Sequence, residues 1–379
     1  MTPRNCCGTD VLTGSTISIT FDNLIREIAP ASESGGFYLA PGFIDLQVNG
    51  FAGVDYNRPE TPLEDIARSI RVLHSTGVTR FYPTVITGAP DDMAGSLGNL
   101  ARAAESLPEG SAIAGYHVEG PHISPEDGPR GAHPRRWVRP PDFDEYRRWQ
   151  DASGRRVRIV TLSPEWPEAP RYIERVTAEG VVAAIGHTQA TTAQIDDAVA
   201  AGASLSTHLG NGAHSVLRRH PNYIWDQLAD DRLMADFIVD GIHLDAAFLK
   251  VALRAKGPNR SVLITDAVPP ACSAPGRYRL GEQEVDYTPD GRVVLAGLDR
   301  LAGSSLRMDH GIANLIRLAG LSLADAVRMA TVNPARAVPG PSAALAPGVP
   351  ANLVQFRYEA TPPRLVIIST FRDGQQVLL

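Results

Sequence analysis

Residues 114–121 read AGYHVEGP, a short apolar run that ends in a carboxylate, Glu119, at a Gly-Pro turn. A run of this kind suits a buried parallel strand whose C-terminal tip presents one charged group. Three later runs have the same form: VVAAIGH ends at His187, SLSTH at His208 and SVLITD at Asp266. One Glu, two His and one Asp at successive strand tips are the makings of a metal site with an attendant base.

Outward from this stretch, the chain after Pro41 alternates strand-like and helical segments. The strand-like runs are GFIDLQV, VTRFYPTVI, SAIAGYHVE, RVRIVTLS, VVAAIGH, SLSTHL, LMADFIVD and SVLITDA. The clearest helix follows the first of them. Thr61 is expected to cap it, with Pro62 at the first helical position and Glu64 completing a capping box. Leu63, Ile66, Ile70 and Leu73 mark its buried face, Gly77 ends it, and His74 in its last turn suits the helix dipole as a cation. A second helix is expected over about 192–201, stopping at Gly202. Eight such units over roughly three hundred residues have the size of a (β/α)8 barrel, in which functional groups sit at the C-terminal strand ends. Gln47, Glu119, His187, His208, Asp240 and Asp266 all fall there. A doubly wound open sheet is the alternative, but no GxGxxG turn follows any strand.

The flanks have a different texture. Residues 11–40 contain short β-like runs (TISIT, GGFYLA), and β texture returns from about Ala351 in ANLVQFRY, RLVIIST and QQVLL, with a turn at Asp373-Gly374. The ends are expected to pair into one small β-sandwich domain, residues 1–40 and 346–379, beside a barrel of residues 41–345. Between the eighth strand and that return lies an excursion with a hairpin signal at Asp290-Gly291, read as a surface hairpin or an active-site lid.

The 379 residues are 43% hydrophobic and 21% charged, with a net charge of −6, so nothing in the overall balance attracts nucleic acid or an anionic membrane. Nine arginines between Arg130 and Arg158, interleaved with Trp137, Tyr146 and Trp149, form a texture that binds single strands in other settings. Asp142, Asp144, Glu145 and Asp151 interrupt it, and a solvated helix face is the expectation. Cys6, Cys7 and Cys272 make no disulfide framework, which suits a reducing cytoplasm. No run has the apolar length of a signal peptide core or membrane span.

Chemically, Glu119, His187 and His208 could hold zinc or ferrous iron with one position left open. Such an ion makes water a nucleophile at neutral pH, and Asp266 could take the water's proton and pass it to a leaving amine. The assembly reads as a hydrolase of an amide or similar carbonyl bond.

The blocks APGFIDLQVNG, HVEGP, RGAHP, GHTQA, STHLGN, DGIH, LITDA and LAGSSL resemble, in order, the N-acetylglucosamine-6-phosphate deacetylase branch of the amidohydrolase superfamily. The resemblance implies a barrel plus a β-sandwich, a homodimer, and hydrolysis of an N-acetyl amino sugar to acetate and the free amine. It makes Glu119, His187 and His208 the metal ligands and Asp266 the general base and acid. Many amidohydrolases carry His-x-His at the first strand tip for a second metal; Gln47 and Asn49 stand there instead, as in the one-metal branch, and are expected to bind substrate. Zinc is the expected ion, with iron, manganese and cobalt as alternatives. His133 corresponds to a residue that polarises the substrate and His243 to one that orients it.

The chain departs from that family after the second His. An aromatic residue followed by Asn-Ala-Met is usual, whereas Gly210, Asn211, Gly212, Ala213 and His214 stand here. Asn211 and Gly212 remain expected substrate contacts, and Arg219 occupies the place of the arginine that reaches the phosphate of the neighbouring subunit's substrate. The altered loop also admits a second reading, the same chemistry on an unphosphorylated N-acyl sugar or a specialised-metabolite amide. A metal-free binding protein is disfavoured, because every expected ligand is present.

Overall fold

All eight apolar runs become parallel strands, in chain order: β1 (Phe43–Val48), β2 (Val78–Ile86), β3 (Tyr116–Glu119), β4 (Val157–Leu162), β5 (Val182–Ile185), β6 (Leu205–Ser206), β7 (Met234–Ile238) and β8 (Ser261–Ile264). The structure, a computed structural model, describes residues 3–340 and 343–377. Each strand pairs with its sequence neighbour. A parallel bridge between Val48 and Ala267 joins the first strand to the end of the last, and the Asn49 N–H donates to the Ala267 carbonyl at 2.7 Å. The result is a (β/α)8 barrel. Helices such as Leu63–His74 and Ala169–Ala178 bury one face against it through Ile66, Ile70 and Leu73, and through Tyr172, Ile173 and Val176. That stripe is what their three-and-four spacing encodes.

Of the two helix-start signals in the sequence, one forms a side-chain cap and the other does not. The helix Thr192–Ala200 is capped by Thr191 in a full capping box with Gln194. The helix Leu63–His74 begins one residue later than expected, so Pro62 falls at the N-cap with no side-chain cap, and the Thr61 hydroxyl donates to the Asp55 carbonyl at 2.7 Å. The excursion after β8 is a three-stranded antiparallel sheet, Gly276–Leu280, Gln283–Tyr287 and Val293–Leu295, with the Asp290-Gly291 turn joining its last two strands. It packs over the barrel mouth and is called the roof below.

Strands from both ends of the chain form one seven-stranded sheet, including two the sequence reading missed, Arg4–Asp10 and Ile25–Pro30. The last two residues of QQVLL lie outside the described part. Phe21 and Phe371 stand on strands four places apart in this sheet, which in a flat sheet would separate them by roughly 19 Å. Their rings are in edge contact at 4.9 Å. The sheet is therefore rolled into a small β-sandwich around Ile17, Ile19, Phe21, Ile25, Leu353 and Phe371.

His74 ties this unit to the barrel and corrects the view of it as a dipole cation. Its ring is buried, with Nδ1 2.7 Å from the Val78 carbonyl and Nε2 3.2 Å from an Arg372 guanidinium nitrogen. Since a guanidinium only donates, Nε2 accepts and the ring is neutral. Burial, with Arg372 adding to it, pushes the pKa down to about 4. The folded value lies below the unfolded one of about 6.5, so this contribution is complete above pH 6.5 and is lost as the pH falls toward 4. The loss amounts to at most about 3 kcal/mol. Thermal melts at pH 7.5 and 4.5 should show a larger drop in Tm for the wild type than for His74→Asn; equal drops would remove the assignment.

Candidate active site

Each strand tip turns its side chain over the barrel mouth, and three do so at a conformational cost. His187, His208 and Asp266 have φ of 50°, 30° and 49°. This left-handed region costs a non-glycine residue about 1 kcal/mol or more and is held only where the surroundings enforce it.

The groups converge on Glu119. Its Oε1 lies 2.8 Å from His208 Nε2 and 3.3 Å from His187 Nε2, and it accepts from Gln47 Nε2 at 2.9 Å. His133 Nε2 faces the other carboxylate oxygen at 3.8 Å and lies 3.3 Å from His187 Nε2. The same Gln47 amide donates to Asp266 Oδ1 at 3.0 Å, which also accepts from Asn49 Nδ2 at 2.7 Å. Gln47 is thus fully buried between the two carboxylates and does not line the cavity, whereas Asn49 does. The donor atoms of Glu119, His133 and His187 all lie within 4.8 Å of one another.

The donor set suits a divalent cation. His187 Nδ1 is 2.8 Å from the Pro129 carbonyl, which can only accept, so Nδ1 carries the proton. With Nδ1 so engaged, Nε2 is the atom that faces the carboxylate oxygen, either as a donor of a charged ring or as a lone pair turned toward a cation between them. Burial alone would raise the pKa of Glu119, but hydrogen bonds and charge from His187 and His208 hold it well below the usual range. Burial would lower His208, yet Glu119, followed by Asp266 and Asp236, brings it to about 9. The site demands positive charge. Burial and the Glu119 charge push Asp266 up to about 6, against His208, His243 and the Asn49 hydrogen bond.

A cavity of about 560 Å³ opens over this cluster. Asp266, His133, His243 and Asn49 line it, as do Gly210–His214 and, from the roof side, Leu280, Gln283, Arg292 and Arg300. His243 Nδ1 sits 2.6 Å from Asp240 Oδ2, leaving Nε2 for a ligand. The helix behind it is capped by Asp245. The Asn211 amide nitrogen has no partner among the described residues. Gly212 (φ 54°) lies so close that a Cβ there would come 2.7 Å from His187 Nδ1. Arg219 is exposed and is not among the lining residues.

A polar belt lies beneath the site; His117 is expected there from its place two residues before Glu119 on the same strand face, while its other members escaped the sequence reading. The Asp236 carboxylate accepts the His208 backbone N–H, and burial pushes its pKa up to about 7. Thr265 Oγ1 donates to Asp45 at 2.6 Å, His117 Nε2 and Thr161 Oγ1 are 2.7 Å apart, and Thr161 and Thr207 hydroxyls meet at 2.7 Å. The signal was present: Asp45 and Asp236 interrupt apolar runs in mid-strand, where an unpaired carboxylate would be costly. Thr87, 2.8 Å from His133 Nδ1, carried no such signal.

The Arg-aromatic texture of 130–158 does not form a nucleic-acid surface. Tyr146 and Trp149 are buried, Trp137 Nε1 donates to Glu282, and Arg139 and Arg148 pair with Glu145 and Asp91. None of the described helices is long and apolar enough to cross a membrane.

The amidohydrolase family model matches residues 38–377. The N-acetylglucosamine-6-phosphate deacetylase of Bacillus subtilis is 35% identical over 314 residues, 82% of this chain and 77% of the relative. The human enzyme of the same name is 36% identical over 314 residues, 80% and 75% of the two chains. Among solved structures, a mutant N-acetyl-D-glucosamine-6-phosphate deacetylase of Mycobacterium smegmatis in complex with N-acetyl-D-glucosamine-6-phosphate superposes with a TM-score of 0.90 at 30% identity, covering all of both chains.

Proposed function

Because the chain belongs to the amidohydrolase family, we propose that the carboxylate and imidazoles gathered at its strand tips form the centre of a deacetylase. The chain hydrolyses the acetamide of N-acetylglucosamine 6-phosphate, or a close N-acetyl amino sugar phosphate, to the free amine and acetate. The observation that carries the reading is the meeting of His187 and His208 on one oxygen of Glu119, with Asp266 tied to the same Gln47 amide.

Glu119, His187 and His208 would hold one divalent ion, for which we propose zinc, a common partner of such nitrogen and oxygen donors. His133 is kept out of the ligand set because it faces the other Glu119 oxygen, at 3.8 Å against 3.3 and 2.8 Å for His187 and His208. When bound, the ion supplies Lewis acidity, polarising the acetyl carbonyl and making water acidic enough to react at neutral pH. With the Thr87 hydroxyl donating to Nδ1, neutral His133 offers its Nε2 proton to the acetyl oxygen as charge develops there. Asp266 accepts the proton of the attacking water and returns it to the departing sugar nitrogen, a task suited to a carboxylate raised toward neutrality. His243, held by Asp240, and the free amide of Asn211 would orient the sugar. Gln47 and Asn49 would serve substrate binding indirectly, by fixing Asp266.

Arg219 is assigned to the phosphate bound by a partner subunit of a cytoplasmic homodimer; its exposure away from the chain's own cavity supports this. The three unpaired cysteines suit that compartment. We assign residues 1–40 and 346–379 to the small β domain and 41–345 to the barrel.

Acetate release tests the function. Metal-loaded protein should deacetylate N-acetylglucosamine 6-phosphate far faster than N-acetylglucosamine, and Arg219→Ala should raise KM for the phosphorylated sugar alone. Equal rates on both sugars would favour the unphosphorylated reading. Gly212→Ala should displace the His187 ring and weaken metal binding at least about tenfold in a chelator competition. Unchanged affinity would show that the ring can yield.

A further inference from the structure

The roof does more than cover the cavity. Two of its side chains reach consecutive carbonyls of the loop that ends in His133: Gln283 Nε2 donates to Ala132 O at 2.7 Å, and an Arg300 guanidinium nitrogen donates to Gly131 O at 3.2 Å. Arg300 also lies 3.7 Å from Asp127 at the start of that loop. The Ala132 methyl packs into the roof's own apolar cluster of Val268, Leu280, Val285, Val293 and Ala302. The roof is itself anchored to the barrel, since the Gly281 N–H donates to Asp55 Oδ2 at 2.7 Å.

This short loop controls two imidazoles at once. Its Pro129 carbonyl binds His187 Nδ1 and so fixes both the tautomer and the direction of Nε2. Its other end is His133, whose remaining nitrogen is held by Thr87. The Gly131 and Ala132 carbonyls, between Pro129 and His133, are the points at which the roof holds the loop, so freeing them loosens the support of both rings.

We infer that Gln283 and Arg300 are positioning residues for the deacetylation, acting from the roof through the Gly131 and Ala132 carbonyls to aim His187 and His133. Neither touches the reacting atoms in this role. A misplacement of about 1 Å at the reacting groups can cost as much as a hundredfold in rate, so the effect belongs in kcat. The inference rests on the deacetylase reading, and the experiment separates the two.

The test uses full-length protein with Gln283→Glu, which keeps the shape but replaces the donor with an acceptor, the double variant Gln283→Ala/Arg300→Ala, and Arg300→Lys, which retains a cationic donor. The double variant and Gln283→Glu should lower kcat about tenfold or more per folded molecule with a smaller change in KM. Arg300→Lys should stay near wild type. In metal-free protein labelled with ¹⁵N at histidine, the His187 Nδ1 signal of the double variant should move from the protonated position toward exchange between tautomers. That readout needs no turnover, so it tests the positioning even if the wild type releases no acetate. A double variant that keeps both the wild-type kcat and the wild-type His187 signal, or loses rate only as far as it loses folded protein, overturns the inference.

Discussion

Replacing Asp266 with Asn is expected to lower kcat by about a thousandfold while the metal stays bound. The amide oxygen can accept the same two hydrogen bonds, from Gln47 at 3.0 Å and Asn49 at 2.7 Å, so the exchange leaves the geometry intact. What it removes is a group able to take a proton from water and return it to nitrogen. Metal analysis beside steady-state rates decides the matter: a variant with full metal and more than about a tenth of wild-type activity would end the base assignment.

Glu119→Gln attacks the other half of the centre. The carboxylate is the charged group on which both imidazoles converge, and it is buried at the floor of the cavity. Its loss should weaken metal binding by more than about a hundredfold, since even partners outside the ligand set cost ten- to a hundredfold. Activity should fall with it at limiting metal and recover in part when metal is in excess. Chelator competition checks this, and wild-type affinity in the variant would mean that the ion is held elsewhere, with His133 the first ligand to reconsider.

The barrel was legible because buried parallel strands must be apolar throughout, which makes runs such as VVAAIGH and SVLITD stand out from the amphipathic helices between them. Their terminal residues were legible for the same reason: an ionisable group ending an apolar run has few structural uses. The strand Arg4–Asp10 was missed because RNCCGTD carries little β propensity, and its pairing with Thr16–Phe21 and Tyr38–Pro41 holds it in place. The roof was only half legible. Its turn announced itself at Asp290-Gly291, but the contacts of Gln283 and Arg300 with a loop 151 and 169 residues earlier leave no local trace. The task of Gln47 was hidden similarly, since a substrate contact and a bridge between two carboxylates ask for the same amide.

The rolled sheet has a consequence for how the molecule holds together. Its strands come from opposite ends of the chain, and the Gln355 amide donates to the Cys7 carbonyl across 348 residues. Viewed as a polymer, the barrel is one long loop and the sheet its clasp. Bringing distant ends together costs chain entropy that grows only with the logarithm of the loop length, and a folded barrel has already met that cost. The clasp then closes with little further loss, and an open clasp takes Arg372 away from His74 and from the Pro108 and Glu109 carbonyls. The small sheet is therefore less an appendage than the fastening of the ring.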